Sequence, residues 1–211
     1  MQNDDLGVSI VKGACNSETK DLAVELAELG LDALLDEGVL KEVPVLKTII
    51  ACRKTWTTIH DQLFLRKVAG FLLACPKFTE ADKEGFAKEH LRDPKKAKRL
   101  GDSLVLILDR LDDFEKPGFL AKAFAAHVRG HIGYDEFRRL AAGVESAFIG
   151  DLKTLASQPV THKNFPEEFL NELLPSGFAI MHAGATRFGV IGSEVHVSKL
   201  GKLFQKCLSE A

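Results

Sequence analysis

The spacing of apolar residues changes period near the end of this chain. Up to about residue 155 they recur at the three-to-four interval of helices. Phe178-Ala-Ile-Met-His182 and Phe188-Gly-Val-Ile-Gly-Ser-Glu-Val-His-Val197 then read as two short strands, and a last helix begins at Ser198. Helical and extended backbones return a side chain to the same face at different intervals, so the two stretches must be different architectures. The chain is expected to be mainly α. Residues 1–157 should form a multi-helix bundle of about six helices, and 158–211 a small α+β helix–hairpin–helix module of winged-helix-like order.

Caps and breakers divide the first part. A first helix is expected from Asn16 or Ser17 to about residue 37, with Leu22, Leu26, Leu29 and Leu34 as its stripe and Gly38 as its stop. Pro44 fits the first turn of a second, long helix that ends at Pro76 and carries Trp56, Ile59, Leu63, Phe64, Val68, Phe71 and Leu72. Thr79 with Asp82 reads as a capping box, and Asp93-Pro94 as a cap followed by proline at the first helical position. The helix opened there carries Leu100, Leu104, Ile107, Leu108 and Leu111. Asp112 with Glu115 suggests a further cap, Gly130 and Gly133 a tight turn, and 134–155 one more helix. The stretch 157–164, with Pro159, reads as a linker; a short helix follows over 166–174, and Pro175-Ser-Gly177 ends it.

Charge is small overall and uneven along the chain. The formal net charge is −2, which gives no global pull toward nucleic acid or anionic lipid. Residues 1–50 carry −6, 51–140 carry +5 and 141–211 carry −1. The densest basic run is Lys95, Lys96, Lys98 and Arg99, with Lys88 and Arg92 just before it. Asp93-Pro94 places it in the first turns of a helix, where free backbone N–H groups also favour anions. These six residues are the candidate anion- or partner-binding site, set against a plain solvated helix face.

Other constellations lack the chemistry they suggest. If Gly130 were position six of a calcium loop, Ala125, His127 and Arg129 would occupy ligand positions that require oxygen. His127 and His131 are four apart, but no third ligand follows and Gly130 should end their helix. Asp109, Asp112 and Asp113 cluster at a helix junction, where capping is the simpler role. No catalytic residue, metal site or cofactor is indicated. Cys15, Cys52, Cys75 and Cys207 form no CxxC pair and no secretory signal precedes them, so reduced thiols in a cytoplasmic protein are expected. No apolar stretch approaches the length of a membrane span. On the candidate recognition helix of the C-terminal module, Glu167, Glu168 and Glu172 would repel phosphate, which favours protein contact there.

Three stretches carry a family resemblance: Lys41-Glu-Val-Pro-Val-Leu-Lys47, Leu63-Phe-Leu-Arg-Lys67 and Val197-Ser-Lys-Leu-Gly-Lys-Leu-Phe204. Together they resemble small helical proteins of bacteria and their mobile elements. The terminal stretch is similar to the Leu-Thr-x-x-Gly ending of winged modules in the abortive-infection alpha type, with Ser198 in place of threonine. The resemblance spans roughly a third of the chain and contains no catalytic motif. It implies a bacterial cytoplasmic protein linked to phage defence. The function expected is that of a non-enzymatic interaction or regulatory protein acting through protein contacts. Nucleic-acid binding through the basic run 88–99 is the alternative, an enzyme with an unrecognised site a more distant one, and self-association is left open. A continuous basic stripe joining 95–99 to Arg138 and Arg139 would favour nucleic acid, while an exposed apolar patch would favour a protein partner.

Overall fold

Side chains that replace missing backbone hydrogen bonds set the start of several helices in the computed structural model, which describes residues 6–16, 58–158, 165–185 and 191–210. The order is α1 (Leu6–Cys15), α2 (Ile59–Ala74), α3 (Glu80–Phe86), a π-helical turn (Ala87–Leu91), α4 (Pro94–Arg110), α5 (Lys116–Val128), α6 (Tyr134–Ser146), α7 (Ile149–Ser157), α8 (Glu167–Glu172), β1 (Ala179–Ala185), β2 (Ile191–Val197) and α9 (Lys199–Ser209). The described chain is thus mainly helical, with a small antiparallel sheet near its end. None of its helices is long and apolar enough to cross a membrane.

The expected caps at Thr79 and Asp93 are in place, and the last helix begins at Ser198 as expected, with Ser198 as its cap. Thr79 accepts from Asp82 N at 3.2 Å while the Asp82 carboxylate accepts from Thr79 N at 3.0 Å. Ser198 Oγ accepts from Gly201 N at 3.0 Å and donates to Gly177 O at 2.6 Å, which ties α9 to the turn before β1. Gly177 itself has φ +75°, a left-handed turn that glycine adopts without strain. The hairpin register runs from Ala179 opposite Val197 to Ala185 opposite Ile191, so β1 extends beyond the expected His182 into the segment read as connection.

Helix α5 is central. Leu120, Ala121 and Ala123 through Val128 are all buried, and it packs against α2, α6 and α9. Phe124 meets Phe71, Phe86 and Phe137 edge-on at 5.5, 5.7 and 5.7 Å. The core continues to the end of the chain: Phe204 of α9 lies 5.7 Å from Phe119 of α5 and 4.8 Å from Phe178.

Several expectations are corrected. The long helix from Pro44 does not run unbroken to Pro76, because Thr58 is extended and forms a capping box with Asp61 that starts a new helix at Ile59. Ile59 and Leu63, assigned to its apolar face, are exposed. The helix expected over 134–155 is two, since Ala147 and Phe148 are both extended. Asp112 does not cap α5: Asp113 Oδ1 accepts from Glu115 N at 2.7 Å, while Asp112 pairs with the buried Lys116 at 2.6 Å. Helix α1 was not expected at all. It is admitted by two glycines, since a Cβ on Gly7 would fall 2.2 Å from the carbonyl carbon of Gly101 on α4. The helix expected over 17–37, Trp56, Cys52, Arg187 and most of the 157–164 linker lie outside the described residues.

Candidate anion-binding cleft

All six residues of the basic run are exposed, but they do not act as one group. Lys88 lies on the π-helical turn and Arg92 follows it. The N-terminus of α4, where an anion was expected to find free N–H groups, already holds one. The Asp93 carboxylate accepts from Lys95 N at 2.8 Å and Lys96 N at 3.4 Å. It also offsets the unfavourable meeting of basic residues with the positive end of the helix dipole. Lys98 pairs with Asp102, one turn further along α4, at 3.3 Å. Arg99 turns the other way, 5.7 Å from the centre of the Tyr134 ring at the start of α6.

That contact opens onto a cleft of about 490 Å³ lined by Arg99, Tyr134, Asp135, Arg138 and Arg139. Its α6 wall is set locally: Glu136 accepts from Gly133 N at 2.9 Å, which fixes the first turn. Phe137, Leu140, Ala141 and Val144 hold the opposite face of α6 in the core. Arg138 is anchored, donating from Nη1 to the hydroxyl of Ser103 on α4 at 3.0 Å, and that hydroxyl also bonds Tyr134 Oη at 2.9 Å. The other guanidinium nitrogens of Arg138 face no described partner, and Arg139 has no ion pair or hydrogen bond among the described residues. Three arginines and one aspartate therefore line one cleft, and the arginine side chains are suited to two-pronged hydrogen bonding of phosphate or carboxylate oxygens.

Of the six sequence candidates only Arg99 belongs to this cleft. Arg138 and Arg139 were singled out only as the far end of a stripe, and Tyr134 and Asp135 were missed. The available signal was the adjacent Arg138-Arg139 pair facing away from Phe137 and Leu140. It becomes meaningful only once α4 and α6 are known to be neighbours.

The remaining titratable clusters are absorbed into the fold. His127 Nδ1 donates to the Ile132 carbonyl at 3.1 Å, while His131 goes outward to Glu210 at 3.1 Å, so the two do not share a site. His127 lies among Phe86, Phe137, Tyr134 and His90, with the His90 ring 4.6 Å away. Burial lowers the pKa of both histidines. Asp109 faces His60 at 3.4 Å, and the hydrogen bond from Lys116 lowers the Asp112 pKa. Arg129 donates to the Glu210 carbonyl at 2.6 Å. Burial pushes the Cys207 thiol up to about 11, away from reactive thiolate chemistry. Among the described residues no three His, Cys, Asp or Glu side chains gather as a metal-ligand set. No protein-family model, curated protein or solved structure matches the chain.

Proposed function

We propose that this chain is a non-enzymatic interaction protein that takes a negatively charged partner through the face formed by α4 and α6. The observation that carries the reading is that Arg99, Arg138 and Arg139 line one cleft, with Arg138 held in place by Ser103. Lys95 lies one turn before Arg99 on α4 and extends the same basic face. Held arginines lose less side-chain entropy on binding than free ones. The test is fluorescence anisotropy of the full chain with labelled heparin, against neutral dextran, over a salt series. Heparin binding should weaken as salt rises, and replacing all three arginines by glutamine should flatten that dependence. Absence of heparin binding, or a salt dependence unchanged in the triple variant, overturns the reading.

A second surface supports protein contact within the same reading. Ile180 and Met181 of β1 are 44% and 51% exposed, large apolar side chains on a two-stranded sheet. Glu167, Glu168 and Glu172 of α8 are exposed as well. Ile180 and Met181 are consecutive on β1 and so lie on opposite faces of the hairpin. Exposed apolar side chains there and acidic ones on α8 suit a protein better than phosphate, so the winged-helix-like order of α8, β1, β2 and α9 would serve as a protein-contact module. The phage-defence setting implied by the terminal-helix resemblance belongs to this proposal. Glutamate at Ile180 and Met181 should release a co-purifying protein partner without altering heparin affinity.

A further inference from the structure

Asp135 stands in the first turn of α6, where its charge meets the helix dipole favourably, but anion attraction alone does not call for a carboxylate in this cleft. Its carboxylate lines the same space as three guanidiniums, yet it has no ion pair or hydrogen bond with any described residue. The first-turn bond to backbone is made by its neighbour Glu136 instead. An unengaged acceptor among cations fits a ligand that brings anionic oxygens and a hydroxyl donor close together. Tyr134 narrows the choice further. Arg99 lies over its ring at 5.7 Å, His127 approaches at 6.1 Å, and its hydroxyl is bonded to Ser103. It is therefore not a free platform for stacking a base, and recognition falls on backbone rather than on sequence. Lys95, Lys96 and Arg92, all exposed, continue the positive charge beyond the cleft, as a repeating anion requires.

We propose that the cleft binds the sugar–phosphate backbone of RNA, with phosphates on Arg99, Arg138 and Arg139 and a ribose 2′-hydroxyl donating to the Asp135 carboxylate. The 2′-hydroxyl is the group by which a protein distinguishes RNA from DNA at such a site. The inference rests on the proposed anionic partner and adds its chemical class. An acidic protein would bring carboxylates without a hydroxyl beside each one.

The experiment compares the full chain's affinity for a short single-stranded RNA, the DNA of the same sequence, the 2′-O-methyl RNA and a poly-glutamate peptide. Arg138→Gln, Asp135→Ala and Asp135→Asn are measured in parallel, with circular dichroism to confirm folding. RNA should bind more tightly than DNA and 2′-O-methyl RNA by about tenfold, the scale of one hydrogen bond to a charged group. Asp135→Ala should abolish that preference, and Asp135→Asn, which keeps an acceptor oxygen, should retain part of it. Arg138→Gln should weaken RNA and DNA alike and lower the salt dependence by about one counterion. Equal affinity for RNA and DNA, with salt dependence intact, overturns this inference and leaves the proposed function standing. Tightening of both by Asp135→Ala shows that the carboxylate merely repels phosphate, and overturns it too. Preference for poly-glutamate over RNA overturns it in favour of an acidic protein partner, whereas failure to bind any of the polyanions removes the proposed function as well.

Discussion

At the scale of single residues, the same substitution should have opposite signs at two glycines. A Cβ on Gly101 would fall 2.5 Å from the carbonyl carbon of Gly7 and 2.6 Å from Val8 N, both backbone atoms that cannot rotate away. Gly101→Ala must therefore push α1 off α4, and should cost about 1–3 kcal/mol, as overpacking does. A Cβ on Gly85, within α3, would meet nothing within 4 Å, so Gly85→Ala should stabilise by about 0.5–1 kcal/mol. Urea denaturation of the two variants checks both signs. His127 gives a pH dependence. With its Nδ1 proton donated to Ile132 O, Nε2 is a bare nitrogen buried without a partner, and a second proton would place charge among aromatic rings and beside His90. Burial lowers its pKa in the folded chain, so as pH falls through about 6.5 the unfolded chain takes up the proton first. The stabilisation is complete above that pH and is lost as pH drops toward the folded value. Between about pH 7.5 and about pH 5.5 the wild type should lose more stability in denaturant melts than His127→Gln. An equal loss in both would show that His127 is not a source of acid sensitivity.

At the scale of elements, caps were the most legible signal, because a cap is a local contract between residues two or three apart. Thr79 with Asp82, Asp93 with Pro94, and Ser198 all begin helices where the sequence places them. Asp93→Ala should cost about 1 kcal/mol in thermal or chemical melts, since it frees two N–H groups at the start of α4. The misses have the opposite cause. Helix α1 was missed although Ile10, Val11 and Ala14 stand at helical spacing, because its short stripe follows a polar start and its seat depends on Gly7 approaching Gly101, far along the chain. The break at Ala147-Phe148 carries neither proline nor a glycine stop, and its residues continue the apolar spacing. Thr58 was hidden inside a continuous apolar stripe although Asp61 completes its capping box. The cleft was half legible for the same reason. The run around Arg99 is local, but its joining to Tyr134, Asp135, Arg138 and Arg139 depends on the packing of α4 against α6.

At the scale of the whole molecule, the question is whether the strand-bearing end melts with the helices or apart from them. The rings argue for one transition. Phe204 of α9 is fully buried between Phe119 of α5 and Phe178, and Phe178 in turn fills the space where Gly143 of α6 lacks a side chain. Gln205 adds a hydrogen bond from α9 to the Leu155 carbonyl of α7 at 2.6 Å. Removing the Phe204 ring takes apolar surface from both sides of this contact at once. Phe204→Ala should therefore cost about 3–5 kcal/mol, the range of a buried phenylalanine. Phe148, 70% exposed, is the control: Phe148→Ala should stay within about 0.5 kcal/mol of wild type. The size of the loss alone does not decide the question, but its shape does. If the core is shared, the melt of Phe204→Ala followed by circular dichroism should remain a single transition shifted to lower denaturant, and hydrogen exchange at α5 should accelerate with that at α9. If the end of the chain is an independent body, an early transition should split off and leave α5 protected as in wild type, which would disprove the shared core.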